Sequence, residues 1–163
     1  MSEAQSGDPA DILVRLYALP PLDLSGMGAT GVTIRRPIAP ERHVIVAWVA
    51  REFELGWASE VEVAFTNHPP SCFVAVKGQD ILGFACYDAT ARGLFGPTGV
   101  TEVARGRGIG AALLMASLHA MREQGYAYAV IGGVGPAEYY ARTVGATLIE
   151  GSTPGIYDFG LIR

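Results

Sequence analysis

Apolar positions in this chain come in two rhythms, and their order predicts its architecture. Val44, Ile45, Trp48, Val49 and Phe53 recur at helical spacing behind Pro40-Glu41 and give a helix one apolar face. Proline suits the first turn, and Gly56 is expected to end the helix. A second helix follows, with Ser59 and Glu62 at capping-box spacing, closed by Asn67-His68-Pro69-Pro70. Cys72–Lys77 and Ile81–Tyr87 are short apolar runs joined by Gly78-Gln79-Asp80, a hairpin pattern. Leu94–Val100 is a further strand, and Ile109–Glu123 a strongly amphipathic helix that stops at Gly125. Ala127–Ile131 reads as a strand. A helix opens at Gly135-Pro136 and runs to Val144 before Gly145, and Thr147–Glu150 and Tyr157–Ile162 read as the last strands.

The chain before the first helix carries weaker signals. Residues 1–10 are small and polar and read as disordered. Ile12–Leu19 alternates in part and is expected to be an edge strand stopped by Pro20-Pro21, free to pair with its own sheet or with that of a second subunit in a homodimer. Asp23–Gly31 reads as a linker and Val32–Arg36 as a short strand. Residues 1–30 are therefore expected to form an N-terminal extension, and 31–163 one domain. The order of elements predicts an α+β fold, a mixed and mostly antiparallel central sheet with helices on both faces.

Composition narrows the functional classes. Half of the 163 residues are apolar and 17% are charged, as in a globular protein with a real core. A net charge of −4 and a single lysine, Lys77, argue against nucleic-acid binding, which needs surplus cations against phosphate. Cys72 and Cys86 lie in apolar strands without metal-ligand spacing, so no metal site is expected. No segment has the length of a membrane span, and Met1-Ser2-Glu3-Ala4 lacks a signal-peptide pattern, so no membrane partner and a cytoplasmic location are expected.

The chemistry concentrates in Arg105-Gly106-Arg107-Gly108-Ile109-Gly110-Ala111, between a strand and the long helix. The glycines allow a tight turn, and the first N–H groups of the helix point out of it with the positive end of the helix dipole. Two arginines add charge, and a phosphate or diphosphate is the natural guest. The same residues satisfy a dinucleotide fingerprint, Gly106-x-Gly108-x-x-Ala111. That reading requires an acidic residue after the next strand, where this chain has Val130-Ile131-Gly132-Gly133.

Arg105-x-x-Gly108-x-Gly110 resembles the acyl-CoA-binding motif of the GNAT superfamily of N-acetyltransferases, and the element order from residue 32 to 163 is similar to that family's. The resemblance implies a GNAT-like sheet splayed between the strands 94–100 and 127–131, with acetyl-CoA as co-substrate. It implies that the amides from Arg107 to Ala111, among them Gly108, Ile109 and Gly110, hold the diphosphate with the Arg105 and Arg107 side chains near it. Val100 would pair by its backbone with the pantetheine arm, a contact helped by a bulge at Gly96-Pro97.

Pro136-Ala137-Glu138-Tyr139-Tyr140 and the residues to Gly145 resemble the family's second signature. Tyr140 then takes the place of the tyrosine that protonates the departing thiolate, with Tyr139 as its substitute; a phenol with a pKa near 10 is protonated at neutral pH and can donate. The chain departs from the family at Gly133-Val134-Gly135, where Asn is usual. Asp88, at the end of its strand, is a candidate base or amine binder, and equally a turn cap. Trp57 and Phe65 are core residues that could also wall the acceptor pocket, and His43 and His68 read as surface residues. The resemblance thus implies transfer of an acetyl group to a primary amine of a small molecule or peptide by direct attack in a ternary complex. The alternative is a GNAT-fold sensor that binds acyl-CoA without turnover.

Overall fold

The computed structural model describes residues 10–133 and 136–161. Residues 1–9, with the disorder expected there, lie outside the described residues, as do Val134, Gly135, Ile162 and Arg163. The strands are β1 Ile12–Arg15, β2 Thr33–Arg35, β3 Cys72–Lys77, β4 Asp80–Tyr87, β5 Leu94–Val100, β6 Tyr128–Ile131 and β7 Thr147–Leu148. They form one sheet in the order β2-β3-β4-β5-β6-β1-β7, antiparallel except where β5 runs parallel to β6. The helices are α1 Ser25–Ala29, α2 Arg42–Glu52, α3 Leu55–Ala64, α4 Ile109–Glu123 and α5 Ala137–Val144.

Period-two alternation divides the core between the two faces. In β4, Ala85 and Tyr87 point to one face and Phe84 and Cys86 to the other. The first face is covered by α4 through Leu113, Leu114, Leu118 and Met121. Each fully buried leucine there contributes about 2 kcal/mol of transfer free energy. The second face is covered by α2 and α3 through Ile45, Trp48, Val49 and Val61. Helices on both sides of a mostly antiparallel sheet are the α+β arrangement expected from the sequence. Among the described residues no helix is long and apolar enough to cross a membrane.

Several local expectations are corrected. β1 is an interior strand, paired with β6 on one side and β7 on the other, so residues 12–15 belong to the sheet and not to an extension outside it. The pairing with β6 covers all four residues, and that with β7 covers Ile12 and Leu13. The remainder of the expected Ile12–Leu19 strand is a 3-10 turn, Leu16–Ala18, with Leu16 fully buried. The linker read at 23–31 contains α1, a single turn opened where the Asp23 carboxylate accepts the Ser25 N–H at 2.9 Å. Gly56 lies inside α3 instead of ending α2, and Ser59 bonds back to the Leu55 carbonyl at 3.2 Å instead of capping. Thr147–Glu150 pairs only over Thr147–Leu148, and Gly155–Phe159 is a 3-10 turn where a strand was expected.

Candidate active site

The sheet forks at β5 and β6. The two strands pair at only two positions, Leu94 with Val130 and Phe95 with Ile131, and then part. The cause is visible on the other side of β5. Phe95 opposes Tyr87 and Thr98 opposes Ala85, so Gly96 and Pro97 together face Cys86 in a bulge. Gly96 takes φ +122°, a conformation side chains rarely allow. Pro97 has no N–H to offer either neighbouring strand.

Beyond the fork, β5 keeps an open edge. The Thr101 N–H bonds to the Leu82 carbonyl at 2.8 Å, so odd-numbered residues face β4, and alternation turns the N–H and C=O groups of Thr98 and Val100 to the open side. The Val100 carbonyl there accepts the Arg105 Nε–H at 3.2 Å. These groups border a cleft of about 530 Å³ whose wall includes Thr98, Val100, Arg105, Gly110, Tyr139 and Tyr140.

At one end of the cleft the chain turns into α4. Gly106 and Gly108 adopt φ +79° and +80°, left-handed values that a side chain would strain. The Ala112 N–H bonds to the Gly108 carbonyl at 3.0 Å as the first closed turn, which leaves the N–H groups of Ile109, Gly110 and Ala111 without helical acceptors. Arg105 and Arg107 are exposed beside them, Arg107 tied to the Val103 carbonyl at 3.3 Å. Thr101 Oγ1, buried at the start of the turn, has no hydrogen-bond partner among the described residues. Free amides, a helix dipole and two guanidinium groups suit a diphosphate carried on an extended arm.

The opposite wall is α5. Tyr139 and Tyr140 meet edge-to-face with ring centroids 5.1 Å apart, and both border the cleft. Burial, with a smaller contribution from Tyr139, raises the pKa of the Tyr140 phenol, so it stays protonated at neutral pH. Its hydroxyl has no hydrogen-bond partner among the described residues. Part of the departure noted at Gly133-Val134-Gly135 lies outside them.

Asp88 is not brought into the cleft. It holds the turn before β5 at φ +51°, its carboxylate accepting the Gly93 N–H at 2.8 Å and the Tyr126 hydroxyl at 2.9 and 3.0 Å. That is the capping role of aspartate at a turn. Phe65 is buried in the core away from the cleft, whereas Trp57 and Phe53 do border it. The sequence reading passed over Phe53, which packs over Gly99; a glycine within a strand was the available signal of that close approach. Among the described residues no group of His, Cys, Asp and Glu could hold a metal.

A sheet forked between parallel neighbours, with an anion cradle at the helix that follows the fork, defines an acetyltransferase fold. The GNAT acetyltransferase family model matches residues 41–145, and the chain belongs to that family. Solved structures share the fold. A region described as a GCN5-related glucosamine N-acetyltransferase in a fungal multi-domain β-N-acetylglucosaminidase superposes with TM-score 0.71 at 15% identity, over 86% of this chain and 20% of that one. A GCN5-related N-acetyltransferase from Sphaerobacter thermophilus gives 0.66 at 21% identity, over 86% of this chain and 49% of that one. A GNAT family N-acetyltransferase from Escherichia coli, solved in complex with CoA, gives 0.51 at 22% identity, over 69% and 67%. The chain thus spans a fifth to a half of the length of the first two. No curated protein matches the sequence.

Proposed function

We propose that this protein is an N-acetyltransferase that moves the acetyl group of acetyl-CoA to a primary amine of a small molecule or peptide by direct attack in a ternary complex. The observation that carries the reading is one cleft bordered both by the start of α4 and by Tyr140. In this reading the amides of Gly108 to Ala111, with Arg105 and Arg107, hold the diphosphate, and the open edge at Thr98 and Val100 takes the amide-bearing arm as an added strand. The thioester then lies toward α5, where Tyr140 donates a proton to the sulfur as the carbon–sulfur bond breaks.

Tyr140→Phe tests the acid. Turnover of acetyl-CoA with an amine is expected to fall about 10²-fold or more, while the acetyl-CoA Kd by calorimetry stays within about twofold. Unchanged turnover moves the acid role to another group. One observation favours a second reading, a sensor that binds acyl-CoA without turnover: no carboxylate, histidine or lysine borders the cleft among the described residues. Acetyl-CoA binding without thiol release across chemically diverse amines supports the sensor.

A further inference from the structure

A primary alkylamine reaches the protein as an ammonium ion, since its pKa is near that of lysine, about 10. It must lose a proton before its nitrogen can attack a carbonyl, and the residues bordering the cleft provide no acceptor. The α4 face of the fork is the donor's side, because α4 starts there. The acceptor's approach is the other face, toward α3.

On that face a polar group packs beside the paired base of the fork. Glu60 lies one helical turn beyond Trp57, which borders the cleft, and on the same side of α3. It is half-buried, and its Oε1 accepts a hydrogen bond from the Thr90 hydroxyl. Its other oxygen, Oε2, has no hydrogen-bond partner among the described residues. Thr90 also meets the Tyr157 hydroxyl from the C-terminal 3-10 turn.

The position of Tyr157 fixes where this group stands. A Cβ placed on Gly132 would lie 3.7 Å from Tyr157 Cε2 and 3.9 Å from Leu94 Cδ2, so the ring sits beside the last paired residues of β5 and β6. Phe95 belongs to the cluster under α4, and alternation therefore turns Leu94, with Tyr157 near it, to the α3 face.

We infer that Glu60 is the general base of the transfer, taking the ammonium proton at Oε2 with Thr90 fixing its other oxygen; this rests on the acetyltransferase reading above. The steps balance. The ammonium gives one proton to Glu60, and its nitrogen lone pair forms the N–C bond to the thioester carbon. The C–S bond breaks, and the sulfur takes the Tyr140 proton. The nitrogen's second proton is lost to restore Tyr140, and Glu60 passes its own to solvent, so one proton is released per acetyl transferred.

The surroundings suit the role. Burial raises the Glu60 pKa, opposed by the Thr90 hydrogen bond and reinforced by the negative charge of Glu54 at the start of α3. The other titratable groups facing it are the Tyr157 phenol, which also senses Asp11, and the buried Cys86 thiol of β4. None of these is a cation that would hold Glu60 as a fixed ion pair.

Glu60→Gln keeps the shape and the Thr90 contact and removes the basicity. The probes are acetyl-CoA with putrescine and a lysine-bearing peptide, followed by thiol release from pH 6 to 9 in the whole protein. At pH 7 the variant is expected to lose about 10²-fold or more in kcat/KM with acetyl-CoA affinity unchanged. The deficit should shrink with rising pH, about tenfold per unit, as free amine forms without help; a merely structural role gives a loss that pH does not change. Glu60→Asp should recover part of the rate. A Glu60→Gln variant within about threefold of the wild type across this range overturns the assignment and leaves the transfer reading standing. Wild-type protein that binds acetyl-CoA but releases no thiol with any probe overturns both. Absence of acetyl-CoA binding removes the donor reading first.

Discussion

Gly99 is the tightest point in the wall of the cleft, and a single methyl group there tests the packing. A Cβ built on Gly99 lies 2.6 Å from both Cε1 and Cζ of Phe53 and 3.2 Å from its Cδ1. Carbon atoms sit comfortably at about 3.5–4.0 Å, so the ring must retreat by about 1 Å. It has little room, because Phe53 is packed against Trp48 at 5.6 Å, Trp57 at 5.4 Å and Phe84 at 5.6 Å between ring centroids. Gly99 has no positive φ, so an alanine there brings steric crowding without backbone strain. Overpacking of this kind costs about 1–3 kcal/mol, and each kcal/mol lowers Tm by about 2–4 °C at this size. Urea unfolding followed by tryptophan fluorescence should give that loss for Gly99→Ala. The double variant Gly99→Ala, Phe53→Leu should be more stable than the sum of the single effects by at least about 0.5 kcal/mol, because the smaller side chain removes the clash. Gly26→Ala is the control, since its Cβ meets nothing within 4 Å. A Gly99→Ala protein within about 0.5 kcal/mol of the wild type, or a strictly additive cycle, refutes the packing argument.

Acid stability should depend on Glu41. Hydrogen bonds from Arg35 at 2.6 and 2.9 Å hold its carboxyl down to about 2, against 4.5 for a free glutamate, and the Ile38 N–H adds a 2.8 Å bond. A lowered folded pKa gives stability that is complete above the unfolded value and lost as the pH falls from about 4.5 to 2; exposure of the pair limits it to about 1 kcal/mol. Glu41→Gln should therefore be less stable than the wild type at pH 6, with most of the gap gone at pH 2, by urea unfolding at each pH, and a constant gap contradicts this. For Asp88, left-handed strain and two abandoned donors make Asp88→Ala cost about 3 kcal/mol, whereas Asp88→Asn, which tolerates that conformation, recovers most of it. Turnover per folded molecule should stay within about threefold for Asp88→Asn; a 10²-fold loss with folding intact would return Asp88 to the role of base.

The elements legible in the sequence are those whose cause is local. Cys72–Lys77, Leu94–Val100 and Ile109–Glu123 fall at the residues their patterns mark, because each carries its own period and its own breakers. The fork was implied by the family resemblance, and the glycine–proline pair inside the strand is its local mark. β1 misled because its burial is non-local. Ile12 and Val14 are buried in the cluster under α4, in a strand paired with β6 and in part with β7, and a partly alternating segment near a chain end gives no sign of such neighbours. Tyr157 misled likewise, since its apolar neighbours pack as a 3-10 turn that no period of two describes.

The two halves of the site differ in the same way. The donor half is continuous in sequence, from the open edge at Thr98 through Arg105 to Ala111, so one stretch displays the strand, the glycines, the cations and the helix start together. The acceptor half joins Glu60 of α3, Thr90 of the turn before β5 and Tyr157 near the C-terminus. Each has an innocent local explanation: a charged helix face, a turn threonine, an aromatic in an apolar run. The fold brings them together beside Leu94 and Gly132, where β5 and β6 are last paired before the fork. Glu60 is half-buried on α3 one turn beyond Trp57, and Trp57 and Tyr140 both border the cleft. In the proposed transfer the proton acceptor comes from α3 and the proton donor from α5, two elements far apart in sequence that no single stretch of the chain displays together.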